Sequence, residues 1–430
     1  LGSYSVAVSA PGTRPSTFAP ATPVGNATQV GIFEYCFDRA DTDTSRRGGQ
    51  SFSCAVTGSS LNAAFDATAQ KLTGSYNTGT LGHSKTVEGV KWLGEFHPQT
   101  SYYVPAHLER AGAFKTTSNG GFNVESLRDF NNAAPTVSFG FESMPGHQAE
   151  INRGSYSTSA AGGGTYGGVG VYAAAVGGVW DALLGEGRNW WFFASSDYHN
   201  RGSFGADSRY TTSDFFPGEY TKDYVLARTG SNKLSTQHVV DALRSGNSYV
   251  VNGGLIDRLG FVACTSYSGL GYRSNAAVES IAATAAASNT DTSVSGCASM
   301  GEKLTVRPGA DIVVSIVVRD PVGTNNSPFS FPNPSLAQLS ISQPLNTPVL
   351  DHVDVIGGKV TGYVKPTNTA AYAGTLGSAA ATNSSAGLVK TFNSGNWTST
   401  NDGWRRMTFR IPAVAASQYV RLRGTNLPVA

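Results

Sequence analysis

The sequence predicts an α/β portion, built on a parallel sheet or barrel, followed by an all-β sandwich, with the change near residue 255. Two observations carry this prediction. First, three strand-like apolar runs in series end in histidine or carboxylate residues, and helix-like stretches separate them, which is the βαβ rhythm of a parallel sheet. Second, beyond residue 255 the helical period fades and alternating β-like runs follow, with Pro and Gly clusters between them. The two portions are accordingly placed at 1–255 and 256–430.

The chain opens at Leu1 in a β-like run, Tyr4 to Ser9, that reads as the middle of a domain. An upstream portion, cleaved off or carried in a separate chain, is expected. The first of the three runs is Ser101-Tyr-Tyr-Val-Pro-Ala-His107, followed by Leu108, Glu109 and Arg110. The second is Val137-Ser-Phe-Gly-Phe-Glu142, with His147 just beyond. The third, Trp190-Trp-Phe-Phe-Ala-Ser-Ser-Asp197-Tyr-His199, is the most informative. Four large aromatic residues in a row fit a strand covered on both faces, the habit of parallel sheets. In an extended backbone residues i and i+2 share a face, so Asp197 and His199 can reach one metal ion or one substrate together. The C-terminal ends of such strands are where α/β active sites lie. Taken alone, an Asp-x-His in an ordinary turn explains the pair equally well; the other two strand ends tip the balance. Ser126 to Asn131 and Gly178 to Glu186 are the helix-like separators. Ser195 and Ser196 read as hydrogen-bond donors at the strand end, since no neighbouring base marks either as a nucleophile.

These residues together resemble the second half of a PHP-type (polymerase and histidinol phosphatase) metallohydrolase domain of the secreted bacterial branch. The resemblance rests on His107 in Val-Pro-Ala-His, Glu142 in the next strand and Ser196-Asp197-x-His199 in a later one. Leu243 to Gly254 is similar to the helix, turn and strand that close the domain, and the likeness covers residues 80 to 260. It implies a distorted (β/α) barrel holding two or three divalent ions, Zn, Mn or Fe, that hydrolyses phosphoesters. On that footing His107, Asp197 and His199 are metal ligands. Glu142 and His147 are ligands, supports behind the ligands, or substrate contacts. The family's first strand carries His-x-His; this chain has none, and its first histidine is His83. The N-terminal part of the barrel is therefore expected to be missing here.

Composition narrows the setting. Charged residues make up 14% of the chain, against about 25% in ordinary globular chains. The net charge of +2 and the lack of a basic block give no case for nucleic acid. No run approaches the roughly 18 apolar residues of a membrane span. Cys36, Cys54, Cys264 and Cys297 lack the close spacing of zinc or redox sites, and three connectivities are open; pairing neighbours is the most economical. Such bridges contribute about 3 kcal/mol each and belong to an oxidising compartment. A secreted protein, extracellular or periplasmic, is expected.

In the sandwich the expected strands are 302–307, 311–319, 350–356, 404–411 and 418–423, with the Ala/Ser/Thr-rich segment 276–296 read as a loop closed by a disulfide. Arg110, Arg188, Arg201 and Lys222 are candidates for a phosphate, because cationic groups, and the planar fork of arginine above all, suit its oxygens. A solvated surface is the competing reading for each. Glu219, in Phe215 to Tyr220, is a candidate polar contact in a loop over the site. His97 reads as a helix-end residue, and His83, His238 and His352 as structural or exposed. Trp397 and Trp404 are the aromatic hints of a carbohydrate-binding sandwich, with core packing as the alternative. The functional expectation is a secreted metal-dependent hydrolase acting on a small phosphoester. Its rival is an extracellular structural or surface-assembly protein, self-associating on the same scaffold with little or no catalysis.

Overall fold

The computed structural model describes residues 33, 36, 37, 54, 56–58, 65, 66, 71, 72, 80–106, 108, 122–145, 165, 166, 169–195, 221–230, 232–266, 273–325, 345, 346, 348–373 and 379–427. In the first portion these form helix α1 (Thr80–Phe96), helix α2 (Val124–Ala133), strand β1 (Gly140–Pro145), helix α3 (Val179–Gly185), strand β2 (Trp191–Ser195), strand β3 (Thr221–Val225), helix α4 (Thr236–Ser245) and strand β4 (Ser248–Asn252). β1 and β2 pair in parallel, and β3 and β4 pair antiparallel. The described strands form an open α/β arrangement and close no barrel.

Each helix has a local cause. Asn123 caps α2 by accepting from the Ser126 amide, and Val124, Leu127 and Phe130 fall on its buried face. Ser235 and His238 form a reciprocal capping box at the start of α4, which ends at Gly246 with φ 75°. A side chain at Gly246 would stand 2.4 Å from the Trp191 indole, so glycine is required for backbone conformation and for space alike. The core of this portion gathers Trp92, Leu127, Phe130, Phe141, Leu183 and Trp190. The segment 101–106, expected as a strand, runs beside β1 without a regular ladder, tied by the Tyr103 amide to the Val137 carbonyl at 2.8 Å and the Glu142 amide to the Pro105 carbonyl at 2.9 Å.

The second portion is rich in β-structure. Strands β5 (Arg258–Thr265), β6 (Cys297–Ala298), β7 (Ala310–Arg319), β10 (Thr398–Ser399) and β11 (Trp404–Val414) form one sheet in the order β6-β5-β7-β11-β10. Strands β8 (His352–Lys359), β9 (Gly387–Asn393) and β12 (Gln418–Thr425) form a second, ordered β9-β8-β12. Ile316, Val318 and Met407 of the first sheet meet Val353, Val355 and Phe392 of the second in one core. Helix α5 (Asn275–Ser288) covers the outer face of the larger sheet. This corrects the expectation of a loop there. Ser274 caps the helix and Asn289, in the left-handed region, ends it, while Val278, Ala282, Ala285 and Ala286 are buried. The approach is close because Gly260 lies beneath: a Cβ there would be 2.1 Å from the Ala282 carbonyl oxygen. Residues 302–307, expected as a strand, are irregular.

Both disulfides join neighbours, Cys36 to Cys54 and Cys264 to Cys297, the latter across paired positions of β5 and β6. Among the described residues no helix is long and apolar enough to cross a membrane.

Helix α3 is gripped by the β-rich portion. Asp181, fully buried, accepts two bonds of 2.7 Å from Arg421 on β12 and one of 2.9 Å from the Tyr419 hydroxyl. Arg128 and Arg188 share the buried Glu186 at 2.6 and 2.8 Å, and Arg128 also donates to the carbonyls of Tyr372 and Ala380. Since α3 leads directly into β2, this grip fixes the strand that carries the candidate site.

Candidate functional site

β1 and β2 run in register from Gly140 beside Trp191 to Pro145 beside Ser195, so their C-terminal ends coincide. All six β1 residues are buried, as a strand covered on both faces requires. The register slips between Glu142 and Met144, an irregularity of the kind that re-aims side chains at strand ends. Glu142 is 5% exposed, and the Ser195 hydroxyl donates to its Oε1. The side chain of Glu142 on one strand is thus joined to the last residue of the next.

The β3–β4 ribbon lies against the same end. The Ala194 amide donates to Oδ1 of Asp223 at 3.0 Å, so a side chain stands where a neighbouring strand would supply a carbonyl. The Thr221 hydroxyl donates to Asn252 Oδ1 at 2.8 Å, and Asn252 in turn donates to the Met144 sulfur at 2.8 Å. Glu142 and Asp223 therefore flank β2 from its two sides, one buried and the other with accessible surface. The Asp223 side chain is exposed. Burial pushes its carboxyl up to about 7; the Ala194 amide opposes the rise and the charge of Glu142 adds to it.

The sequence-predicted residues fare unequally. Glu142, expected to end its strand, is the third residue of β1, which runs on to Pro145. His107, Arg110, His147, Asp197, His199, Arg201 and Glu219 lie outside the described residues. Arg188 is no phosphate contact: it is buried, bonded to Glu186, Asn131 and Asn132, and covered by the Tyr363 ring at 4.6 Å. Lys222 is half-buried on β3, next to Asp223 but on the opposite face by strand alternation. His97 follows the last residue of α1. His83 bonds Asp129 at 2.8 Å, His238 belongs to the α4 cap, and His352 is buried beside Asp351. Trp397 and Trp404 pack against the sandwich cores, each with an arginine over its ring.

Asp223 was not among the sequence candidates. It sits mid-strand in Thr-Lys-Asp-Tyr-Val, without a motif, and only the pairing of β3 with the end of β2 reveals it.

The described donor set can be weighed against a divalent cation. Glu142 and Asp223 offer carboxylate oxygens, suited to Mn, Fe or Zn together with imidazole. Two carboxylates brought near each other, one of them buried, gain from a cation between them, because each otherwise raises the cost of ionising the other. Among the described residues no group of three His, Cys, Asp or Glu side chains gathers, so these two are part of a ligand set at most. The fit is chemical and partial. Comparison with protein-family models, with curated proteins and with solved structures finds no match to this chain.

Proposed function

We propose that this chain is a secreted metal-dependent hydrolase acting on phosphoesters at the C-terminal ends of β1 and β2. The observation that carries the reading is the meeting of Glu142, Ser195 and Asp223 at one strand end, immediately before Asp197-x-His199 in the sequence. Disulfides at Cys36–Cys54 and Cys264–Cys297 are compatible with an extracellular or periplasmic setting.

Asp197 and His199, with His107 and with Glu142 and His147 in support, would hold two or three divalent ions of Zn, Mn or Fe. Ions so bound lower the pKa of a water and neutralise charge on phosphoryl oxygens. The chain's own residues supply the rest. The Ser195 hydroxyl donates to one oxygen of Glu142 and ties it to the end of β2. Burial of Glu142 keeps water away from its flank and strengthens its field. Arg110 and Arg201 would pair with the phosphoryl oxygens, and Glu219 would contact the polar remainder of the substrate.

The test is elemental analysis of the purified native protein, with mass spectrometry for a companion upstream fragment, followed by assay on phosphoesters. Tightly held transition metal with phosphoester hydrolysis is the expected result. No metal and no hydrolysis after reconstitution with Zn, Mn or Fe would overturn the reading and leave structural use of the scaffold.

A further inference from the structure

We propose that the β-rich portion carries a binding site for a single sugar ring, in the groove between helix α5 and residues 290–294. The inference stands apart from the hydrolase reading above.

The groove encloses about 280 Å³, close to the lower bound of roughly 300 Å³ for small-molecule pockets. Its apolar wall is made by Ile281 and Ala285 of the helix and the exposed Val294 of the facing segment, and Ser280, Asp291 and Thr292 supply polar groups. The facing segment is fixed by the fold. The Thr290 amide donates to the Ala285 carbonyl at 3.0 Å and the Thr292 amide to the Ser299 hydroxyl at 3.1 Å, while Cys297 just beyond is bridged to Cys264. A groove formed in advance saves a ligand the cost of ordering it.

Asp291 is held from behind through one oxygen. Its Oδ2 accepts from Nε of Arg228 at 2.6 Å, from a second nitrogen of the same guanidinium, and from the buried Asn247 amide at 3.3 Å. Its Oδ1 accepts no bond among the described residues. Because Arg228 already meets the charge of this carboxylate, the open oxygen suits a neutral hydroxyl donor better than a second cation. Thr292 is 8% exposed, and its hydroxyl accepts from the Val294 amide at 3.3 Å while its own proton has no acceptor among the described residues. The exposed Ser280 hydroxyl adds a donor and an acceptor.

An open carboxylate oxygen, two hydroxyls and an aliphatic wall match a pyranose, which offers hydroxyl donors and acceptors along its edge and C–H groups on its face. No aromatic ring lines the groove, so a planar aromatic ligand finds nothing to stack on. The tryptophans that hint at carbohydrate binding in the sequence, Trp397 and Trp404, are taken up in packing; the groove beside α5 lies elsewhere on the same portion.

The test is saturation-transfer NMR on the full chain with the methyl glycosides of glucose, galactose, mannose and N-acetylglucosamine, together with the methyl shifts of Ile281, Ala285 and Val294 under titration. Transfer to one or more of these glycosides is expected, with shifts at the three named residues and a millimolar Kd. The methyl shifts need no variant. Ser280→Leu combined with Thr284→Leu, both exposed on α5 and lining the groove, fills the space and should weaken binding about 10-fold or more while leaving the unfolding midpoint in place. The trisaccharide of the sugar that binds separates two sources: retained binding identifies the end of a glycan chain, and lost binding identifies a free sugar. No transfer from any of the glycosides, shifts confined to other residues, or equal affinity in the filled variant would overturn the proposal.

Discussion

Asp181 and Glu186 at helix α3, and Glu142 and Asp223 beside β2, are carboxylates in different company. The first two are buried and saturated by guanidinium groups, Arg421 for Asp181, and Arg128 with Arg188 for Glu186. The second two receive a serine hydroxyl and a backbone amide, and the described charge that acts on Asp223 is another carboxylate. The same residue type therefore does two jobs. Where cations saturate it, it locks α2, α3 and the β-rich portion together; at Asp223, beside a backbone amide and another carboxylate, the proton is held more tightly. Guanidinium partners mark Asp181 and Glu186 as structural carboxylates.

The largest effect should come from breaking the saturated set. Asp181→Ala leaves Arg421 buried with its partner gone and frees the Tyr419 hydroxyl, which should cost about 3–5 kcal/mol in urea unfolding. A loss under about 1 kcal/mol would place this pair among ordinary surface bridges and erase the contrast.

A smaller effect of opposite sign is expected at the other site. The folded-state pKa of Asp223 lies above the unfolded one, so its contribution to stability is fully present in acid and is lost as pH rises from about 4 through about 7. Asp223→Asn removes that loss. The variant should therefore gain in unfolding free energy over the parent at pH 8 more than at pH 5, by less than about 1 kcal/mol once solvent screening of an accessible group is counted. A variant equally destabilised at both pH values would make Asp223 a structural carboxylate like Asp181.

Much of the architecture was legible in the sequence for identifiable reasons. The aromatic run of β2 and the apolar alternation of β7 and β11 announce strands because burial on one or both faces leaves few other arrangements. The α4–Gly246–β4 sequence was readable because a left-handed glycine closes the helix. Helix α5 was not: a run of Ala, Ser and Thr carries little amphipathic signal, although Ser274, the alanines and Asn289 together spell a capped helix. Arg188 looked like a phosphate ligand because sequence cannot show that Glu186, two residues earlier, turns back onto it. Glu142 was legible as a carboxylate in an apolar strand-like run, although β1 continues past it to Pro145, whereas Asp223 depends on a non-local contact that no spacing encodes.

The account's central claim is that the end of β1 and β2 binds a divalent cation, and equilibrium binding of Zn²⁺ or Mn²⁺ to the metal-stripped full chain, unmodified and as Glu142→Gln, tests it most directly. The claim predicts stoichiometric binding by the unmodified protein and an affinity lower by about 10- to 100-fold in the variant. Absence of binding, or equal affinity in the two proteins, would contradict it.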